Sequence, residues 1–214
     1  MSQPCRILVL ISGSGSNLQA IMDSCDDNPQ ADIVGVISNN PNAYGLTRAH
    51  MAEVNTSCII PHQGENRLEY DKRLIPVIDQ YQPDLIVLAG FMRILSDELV
   101  LRYEGKMINI HPSLLPKYPG LNTHKAVLAS NDKEHGASVH FVIPKLDAGP
   151  VILQANVPVF DEDTPDTLTE RVHEQEHRIY PLVVKWFSLG RLKMHANQAF
   201  LDDQCLPING YAPD

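Results

Sequence analysis

Strand-length apolar runs recur along this chain, separated by segments of helical spacing, and no other feature restricts its fold as strongly. The runs are Ile7 to Ile11, Ile33 to Ile37, Cys58 to Ile60, Leu85 to Leu88, Met107 to Ile110, Val139 to Ile143 and Val151 to Val159. The first few are continuous rather than alternating, as expected of strands covered on both faces. Helix-like patterns fill the gaps over Asn17 to Cys25, Tyr44 to Glu53, Arg67 to Tyr81 and Ser96 to Tyr103. Strands that alternate with helices build βαβ units, so the expected fold is a single-domain α/β structure. It would be a mostly parallel, doubly wound, Rossmann-like sheet of about seven strands flanked by helices. A last helical pattern, Thr164 to Phe187, opens with Thr-Pro-Asp, a cap followed by a first-turn proline. Pro181 is expected to kink it or to end its first part.

Composition narrows the function. The 214 residues are 43% hydrophobic and 20% charged, enough for one large core without staples, and they read as one domain spanning 1–214. Cys5, Cys25, Cys58 and Cys205 lie far apart with no CxxC pair, which suggests neither a zinc knuckle nor a disulfide framework and fits a reducing cytoplasm. The apolar N-terminal run breaks into glycines and reads as a strand rather than a signal peptide, and no stretch reaches membrane-spanning length. A net charge of -9 disfavours nucleic acid as a partner, because phosphate backbones need clustered lysine and arginine. Small-molecule ligands are expected, and a phosphate among them can still be held by backbone N–H groups at a helix N-terminus.

Four segments carry candidate chemistry. The first strand exits into Ser12-Gly13-Ser14-Gly15-Ser16-Asn17-Leu18, where glycines allow a tight turn and a close approach of backbone amides to an anion. A dinucleotide fingerprint would need a small residue at Leu18 and an acid where Asn39 and Asn40 stand, so a single phosphate is the better reading. The second segment runs from Asn109-Ile110-His111-Pro112 to Gly120. Period-two geometry puts Asn109 and His111 on one face at the carboxyl end of a strand, where open α/β sheets bind ligands. The third, Lys145-Leu146-Asp147-Ala148-Gly149-Pro150, is a turn whose aspartate could face His111 and fix its imidazole, or could form local Asx-turn bonds only. The fourth, His173-Glu174-Gln175-Glu176-His177, matches the HExxH zinc pattern, but Pro181 one turn later and the absence of its longer form speak against a metal.

Taken together, these residues resemble the folate-dependent formyltransferases over essentially the whole chain, from Ile7-Leu8-Val9-Leu10-Ile11-Ser12-Gly13 through Leu88-Ala89-Gly90-Phe91-Met92-Arg93-Ile94-Leu95 to Gly190-Arg191-Leu192-Lys193-Met194-His195. Asn109-x-His111-Pro112-Ser113-Leu114-Leu115-Pro116 and Leu146-Asp147-Ala148-Gly149-Pro150 carry most of the likeness. The resemblance implies formyl transfer from 10-formyltetrahydrofolate to the amine of N1-(5-phosphoribosyl)glycinamide, a step of purine biosynthesis, with no metal. It implies Asn109, His111 and Asp147 as the catalytic trio. Gly13, Gly15, Ser16 and Asn17, with His173, Glu174, Gln175 and Glu176, would bind the phosphoribosyl substrate, His173 meeting its phosphate. Arg67, Met92, Arg93, Ile94, Leu95, Asn109 and the stretch Ile143, Pro144, Lys145, Leu146, Asp147 would bind the folate. Its pterin would enter an apolar slot lined by Leu88, Phe91, Met92, Ile94 and Leu95, with Arg67 and Arg93 near the acidic tail. The N-terminal part would then hold phosphate, the C-terminal part would complete the folate site, and the protein would be a monomer or homodimer. The competing readings are another 10-formyl-folate-dependent formyltransferase, a formyl-folate hydrolase, and an inactive ligand-binding module on the same fold.

Overall fold

The computed structural model describes residues 3–211. Its main sheet has seven strands in the order β3-β2-β1-β4-β5-β6-β7. These are β1 (Cys5–Ile11), β2 (Ala31–Ser38), β3 (Thr56–Cys58), β4 (Leu85–Leu88), β5 (Met107–His111), β6 (Glu134–Phe141) and β7 (Val151–Pro158). The pairs from β3 through β5 are parallel, whereas β6 runs antiparallel to both β5 and β7. The sheet is thus mostly parallel, as the alternating pattern requires.

Period-two geometry divides the strand residues between two cores. Ile7, Val9 and Ile11 join one cluster with Leu18, Ile21 and Met22 of α1 (Ser16–Asp26) and the long α6 (Pro165–Ser188). Leu8 and Leu10 join the other, with Tyr70, Leu74 and Ile78 of α3 (Arg67–Tyr81) and Leu99 and Val100 of α4 (Asp97–Arg102). Helices on both faces explain the uninterrupted apolar runs. Two shorter helices, α2 (Tyr44–Met51) and α5 (Thr123–Ser130), belong to the first side through Ala49 and Val127.

Several boundaries differ from the sequence reading. Pro181 lies buried inside α6 and neither ends nor divides it. The buried stripe Leu168, Val172, Ile179, Tyr180, Val183 and Val184 anchors both halves of α6, outweighing the roughly 3 kcal/mol that an interior proline costs. Strand β6 begins at Glu134 rather than Val139, because its first half is built from the buried residues His135, Gly136 and Ser138, which form no apolar run. Strand β3 ends at Cys58, where the reading began it. Helix α5 went unread, as did a second sheet of β8 (Leu192–His195), β9 (Gln198–Leu201) and β10 (Gln204–Cys205). No helix among the described residues is long and apolar enough to cross a membrane.

Candidate active site

The carboxyl end of β5 presents Asn109 and His111 side by side, and β6 supplies their cross-strand partners, His140 opposite Asn109 and Ser138 opposite His111. Ser138 has no catalytic geometry; its hydroxyl donates to the carbonyl of Ser113 at 2.6 Å and accepts from Leu115 N at 3.0 Å. It thereby fixes the start of the loop 112–122, which Gln154 also holds by donating to the Leu115 carbonyl at 2.8 Å. The loop returns to the site at Tyr118, whose carbonyl oxygen lies 2.8 Å from His111 Nε2. A carbonyl only accepts, so Nε2 carries a proton.

The Asp147 carboxylate comes to the same point from the turn after β6. Its Oδ2 accepts from Gly120 N at 2.8 Å, which ties this turn to the loop. It lies 3.6 Å from His111 Nδ1, close enough for charge to act but too long for a formed hydrogen bond. Nδ1 therefore faces the carboxylate with its hydrogen-bonding capacity still open. The expected convergence of Asn109, His111 and Asp147 is thus what the chain builds. His140 completes the group, its Nε2 at 3.2 Å from Asn109 Nδ2 and 3.8 Å from Asp147 Oδ1. The sequence reading gave His140 no role. Antiparallel pairing of β5 with β6 brings it there, and the apolar run alone does not reveal that pairing.

The second half of the site is the turn from β1 into α1. Gly15 stands at the helix N-cap in the left-handed region (φ 71), and no side chain caps the helix, which leaves its first backbone N–H groups open. A β-carbon on Gly15 would come within 2.6 Å of Gly45 Cα, whereas Gly13 has open space around it. Asn39 and Asn40 brace this turn: Ser12 Oγ donates to Asn39 Oδ1 at 2.6 Å and Asn40 Nδ2 donates to the Ser12 carbonyl at 3.2 Å. Behind it, Asn17 Nδ2 donates to the buried Glu176 carboxylate at 2.8 Å. Burial pushes the Glu176 carboxyl up from its ordinary value; the Asn17 hydrogen bond and the His173 and His111 charges pull the other way.

Glu176 is the one residue of the HEQEH segment joined to this turn. His173 is exposed, with Nε2 3.9 Å from Glu176 Oε2; Glu174 is exposed and Gln175 half-buried. His173 and His177 do stack on one helix face, with ring centroids 6.2 Å apart, so the interruption expected from Pro181 is no ground for rejecting the zinc motif. Among the described residues, however, no three His, Cys, Asp or Glu side chains converge as metal ligands.

On the other flank, Met92 and Ile94 are exposed at 70% and 56%, while Leu88 and Leu95 pack into the core beside α3 and α4. The apolar slot read from the sequence is therefore part surface and part core. Met92 N donates to Ser12 Oγ at 2.7 Å, which links this segment to the β1–α1 turn. The Arg93 guanidinium stacks 4.0 Å over the Tyr70 ring, and Arg67 is exposed at the first turn of α3. Ile143 is half-buried, and Pro144, Lys145 and Leu146 are exposed as they lead to Asp147.

A doubly wound sheet with an Asn-His-Asp cluster at its carboxyl edge and an open helix N-terminus beside it defines a class, and the chain belongs to the formyl transferase family, whose model matches residues 5–184. Among curated relatives, phosphoribosylglycinamide formyltransferase of Escherichia coli (strain K12) is 57% identical over 210 residues, covering 98% of this chain and 99% of that one. The solved phosphoribosylglycinamide formyltransferase of Coxiella burnetii superposes with a TM-score of 0.92 at 51% identity, over 97% and 98% of the two chains. A formyltetrahydrofolate deformylase of Pseudomonas putida superposes with a TM-score of 0.81 at 25% identity, over 92% of this chain but 70% of that one.

Proposed function

We propose that this chain transfers a formyl group from 10-formyltetrahydrofolate to the amine of phosphoribosylglycinamide, as one formyltransferase unit over residues 1–214 acting in the cytoplasm. The observation that carries the proposal is near-complete mutual coverage with a relative of that name at 57% identity, with Asn109, His111 and Asp147 converging at the sheet edge. In the mechanism we favour, the substrate amine attacks the formyl carbon and negative charge grows on the formyl oxygen. The free N–H of Asn109 and the Nδ1–H of a protonated His111 donate to that oxygen, lowering the barrier to the tetrahedral intermediate. Asp147, 3.6 Å from Nδ1, stabilises the imidazolium and takes the proton released by the amine, through water. Collapse expels the folate nitrogen, which takes back the proton held by Asp147, through water, and leaves as tetrahydrofolate. Alignment of the two substrates, the phosphate on Gly13, Gly15, Ser16 and Asn17 and the folate between residues 92–95 and 143–147, removes a bimolecular entropy cost.

Two roles follow for the flanks. The α1 N-terminus attracts the substrate phosphate with His173 alongside, and Glu176 accepts from the ribose hydroxyls, with Glu174 and Gln175 in supporting positions. Arg67 and Arg93 face the folate's acidic tail. The test mixes the purified protein with phosphoribosylglycinamide and 10-formyltetrahydrofolate and follows the loss of the formyl group from the folate. Amine-dependent release is expected; release at the same rate without the amine would make the protein a hydrolase, and no release in either case would leave an inactive binding module.

A further inference from the structure

We infer that His140 is a positioning residue for Asn109: its ring, held in one tautomer by the Phe141 carbonyl, accepts one amide N–H of Asn109 and so turns the other toward the reacting oxygen. The inference rests on the proposed donor role of Asn109. His140 is buried, and its Nδ1 lies 2.8 Å from the Phe141 carbonyl oxygen. That oxygen can only accept, so Nδ1 bears the proton. Burial pushes the His140 pKa down, against the pull of the Phe141 hydrogen bond and the Asp147 charge, and the ring keeps a single proton. Nε2 is then a bare lone pair, and the group 3.2 Å from it must be the Asn109 amide nitrogen rather than its oxygen. The reverse orientation would set two acceptors against each other at the buried His140 ring.

Two further features maintain this arrangement. Asn109 and His140 are register partners on β5 and β6, so the sheet itself sets their separation. Gly149 then closes over the Phe141 carbonyl: a β-carbon there would run into that oxygen, with His140 Nδ1 3.6 Å away, and Phe141 N donates to the Pro150 carbonyl at 3.0 Å. The glycine of the Leu146-Asp147-Ala148-Gly149-Pro150 turn thus protects the acceptor that fixes the His140 tautomer. Were the ring to hold two protons instead, Nε2–H would face the Asn109 amide 3.2 Å away, which would turn its oxygen toward that proton and lose the arrangement that aims its second N–H.

The test combines spectroscopy with kinetics on the full chain. In protein labelled with 15N-histidine, assigned through His140→Gln, the His140 ring should show a protonated Nδ1 and an unprotonated Nε2 at neutral pH; a cationic ring or the opposite tautomer would overturn the inference. His140→Leu should lower kcat by about 10²-fold, the cost of a misplaced group, with KM for both substrates nearly unchanged. His140→Gln, which places a carbonyl near the Nε2 position, should recover part of the loss. Adding His140→Leu to Asn109→Ala should cost little more, because the residue to be positioned is already gone. A full multiplicative loss in the double variant would make the role merely structural and reject the inference. If Asn109→Ala alone were harmless while the tautomer was as stated, the donor role of Asn109 would fail, and with it the purpose assigned here to His140. Should His140→Leu not fold, the tautomer and the His140→Gln kinetics still decide.

Discussion

Glu176 is a buried carboxylate with one strong hydrogen bond, from Asn17 Nδ2 at 2.8 Å. Its pKa is raised by burial, so the folded state favours the protonated form. A carboxyl raised on folding contributes stability below its unfolded pKa, about 4.3, and loses that contribution as pH rises through the folded value. Glu176→Gln keeps an acceptor for Asn17 and removes the charge. The variant should therefore melt higher than the wild type near pH 8, with the advantage shrinking to nothing toward pH 4. The same change should raise KM for the ribosyl substrate more than it lowers kcat, because the ribose contact proposed for Glu176 would hold ground and transition states alike. Thermal melts across pH and steady-state kinetics measure both; a collapse of kcat at constant KM would put Glu176 in the chemistry. At the reacting centre the expectation is the opposite. Asn109→Ala or His111→Ala should lower kcat by about 10²- to 10³-fold with folding intact, and Asp147→Asn comparably. Paired changes among the three should fall well short of multiplicative. Circular dichroism and binding of both substrates establish that the variants remain native, and single variants of near-normal kcat would remove the trio from the mechanism.

The β1–α1 turn shows how an element divides labour between two glycines that look alike in the sequence. Gly15 has a left-handed φ of 71 and backs onto Gly45, so any side chain there disturbs the packing of α1 on α2. Gly13 has neither constraint and lies on the open side of the turn. Gly13→Val should therefore weaken phosphoribosyl substrate binding while sparing folate affinity and the melting temperature. Gly15→Val should lower stability and both affinities together. Calorimetric titration of each substrate separates these outcomes, and a Gly13→Val protein that binds the ribosyl substrate normally would move the phosphate elsewhere. The turn's glycines were legible in the sequence; their different duties were not, since those depend on α2 folding back against the turn. The same holds for other elements. Helices α1, α3 and α6 and the buried parallel strands follow from periodicity and, for α6, from its cap, Thr164 Oγ1 accepting from Thr167 N at 3.2 Å. Helix α5 and the first half of β6 were missed because their buried residues are small or polar, Thr123, His135, Gly136 and Ser138 among them.

Across the whole molecule, the doubly wound order brings the ends of β1, β4 and β5 to one edge, and there the β1–α1 turn, residues 92–95 and the Asn109–His111 pair meet. Asn109 and His111 were legible as a pair because they sit at a strand end, where period-two reasoning and the rule for open α/β sheets apply, whereas Asp147 stands in the turn after β6 and its place beside them came from the resemblance. His140 was not legible, since only the antiparallel entry of β6 sets it opposite Asn109. The chain beyond 184 lies outside the family match yet is not idle. Leu192, Ala199 and Leu201 enter the main core, Tyr211 N donates to the Ile152 carbonyl at 2.7 Å, and the Tyr211 ring meets Trp186 edge-on at 5.3 Å. Leu206, Pro207 and Ile208 also line a cleft of about 540 Å³ together with residues 145–151, the turn that carries Asp147. This tail covers the edge strand β7 through the Leu153–Tyr211 bridge and lines the same cleft as the turn that carries Asp147. Removing residues 207–214 should thus lower stability by a few kcal/mol, in the range that loss of buried contacts and a covered edge produces. It should also speed amide exchange at Leu153 and across residues 145–151, while kcat at a temperature where the shortened protein is fully folded stays within roughly tenfold, about 1.4 kcal/mol, of the full chain. Hydrogen exchange read alongside kinetics decides the matter. Slow exchange retained throughout residues 145–151 would show that the turn stands without the tail, and a far larger fall in kcat would make the tail part of the catalytic site.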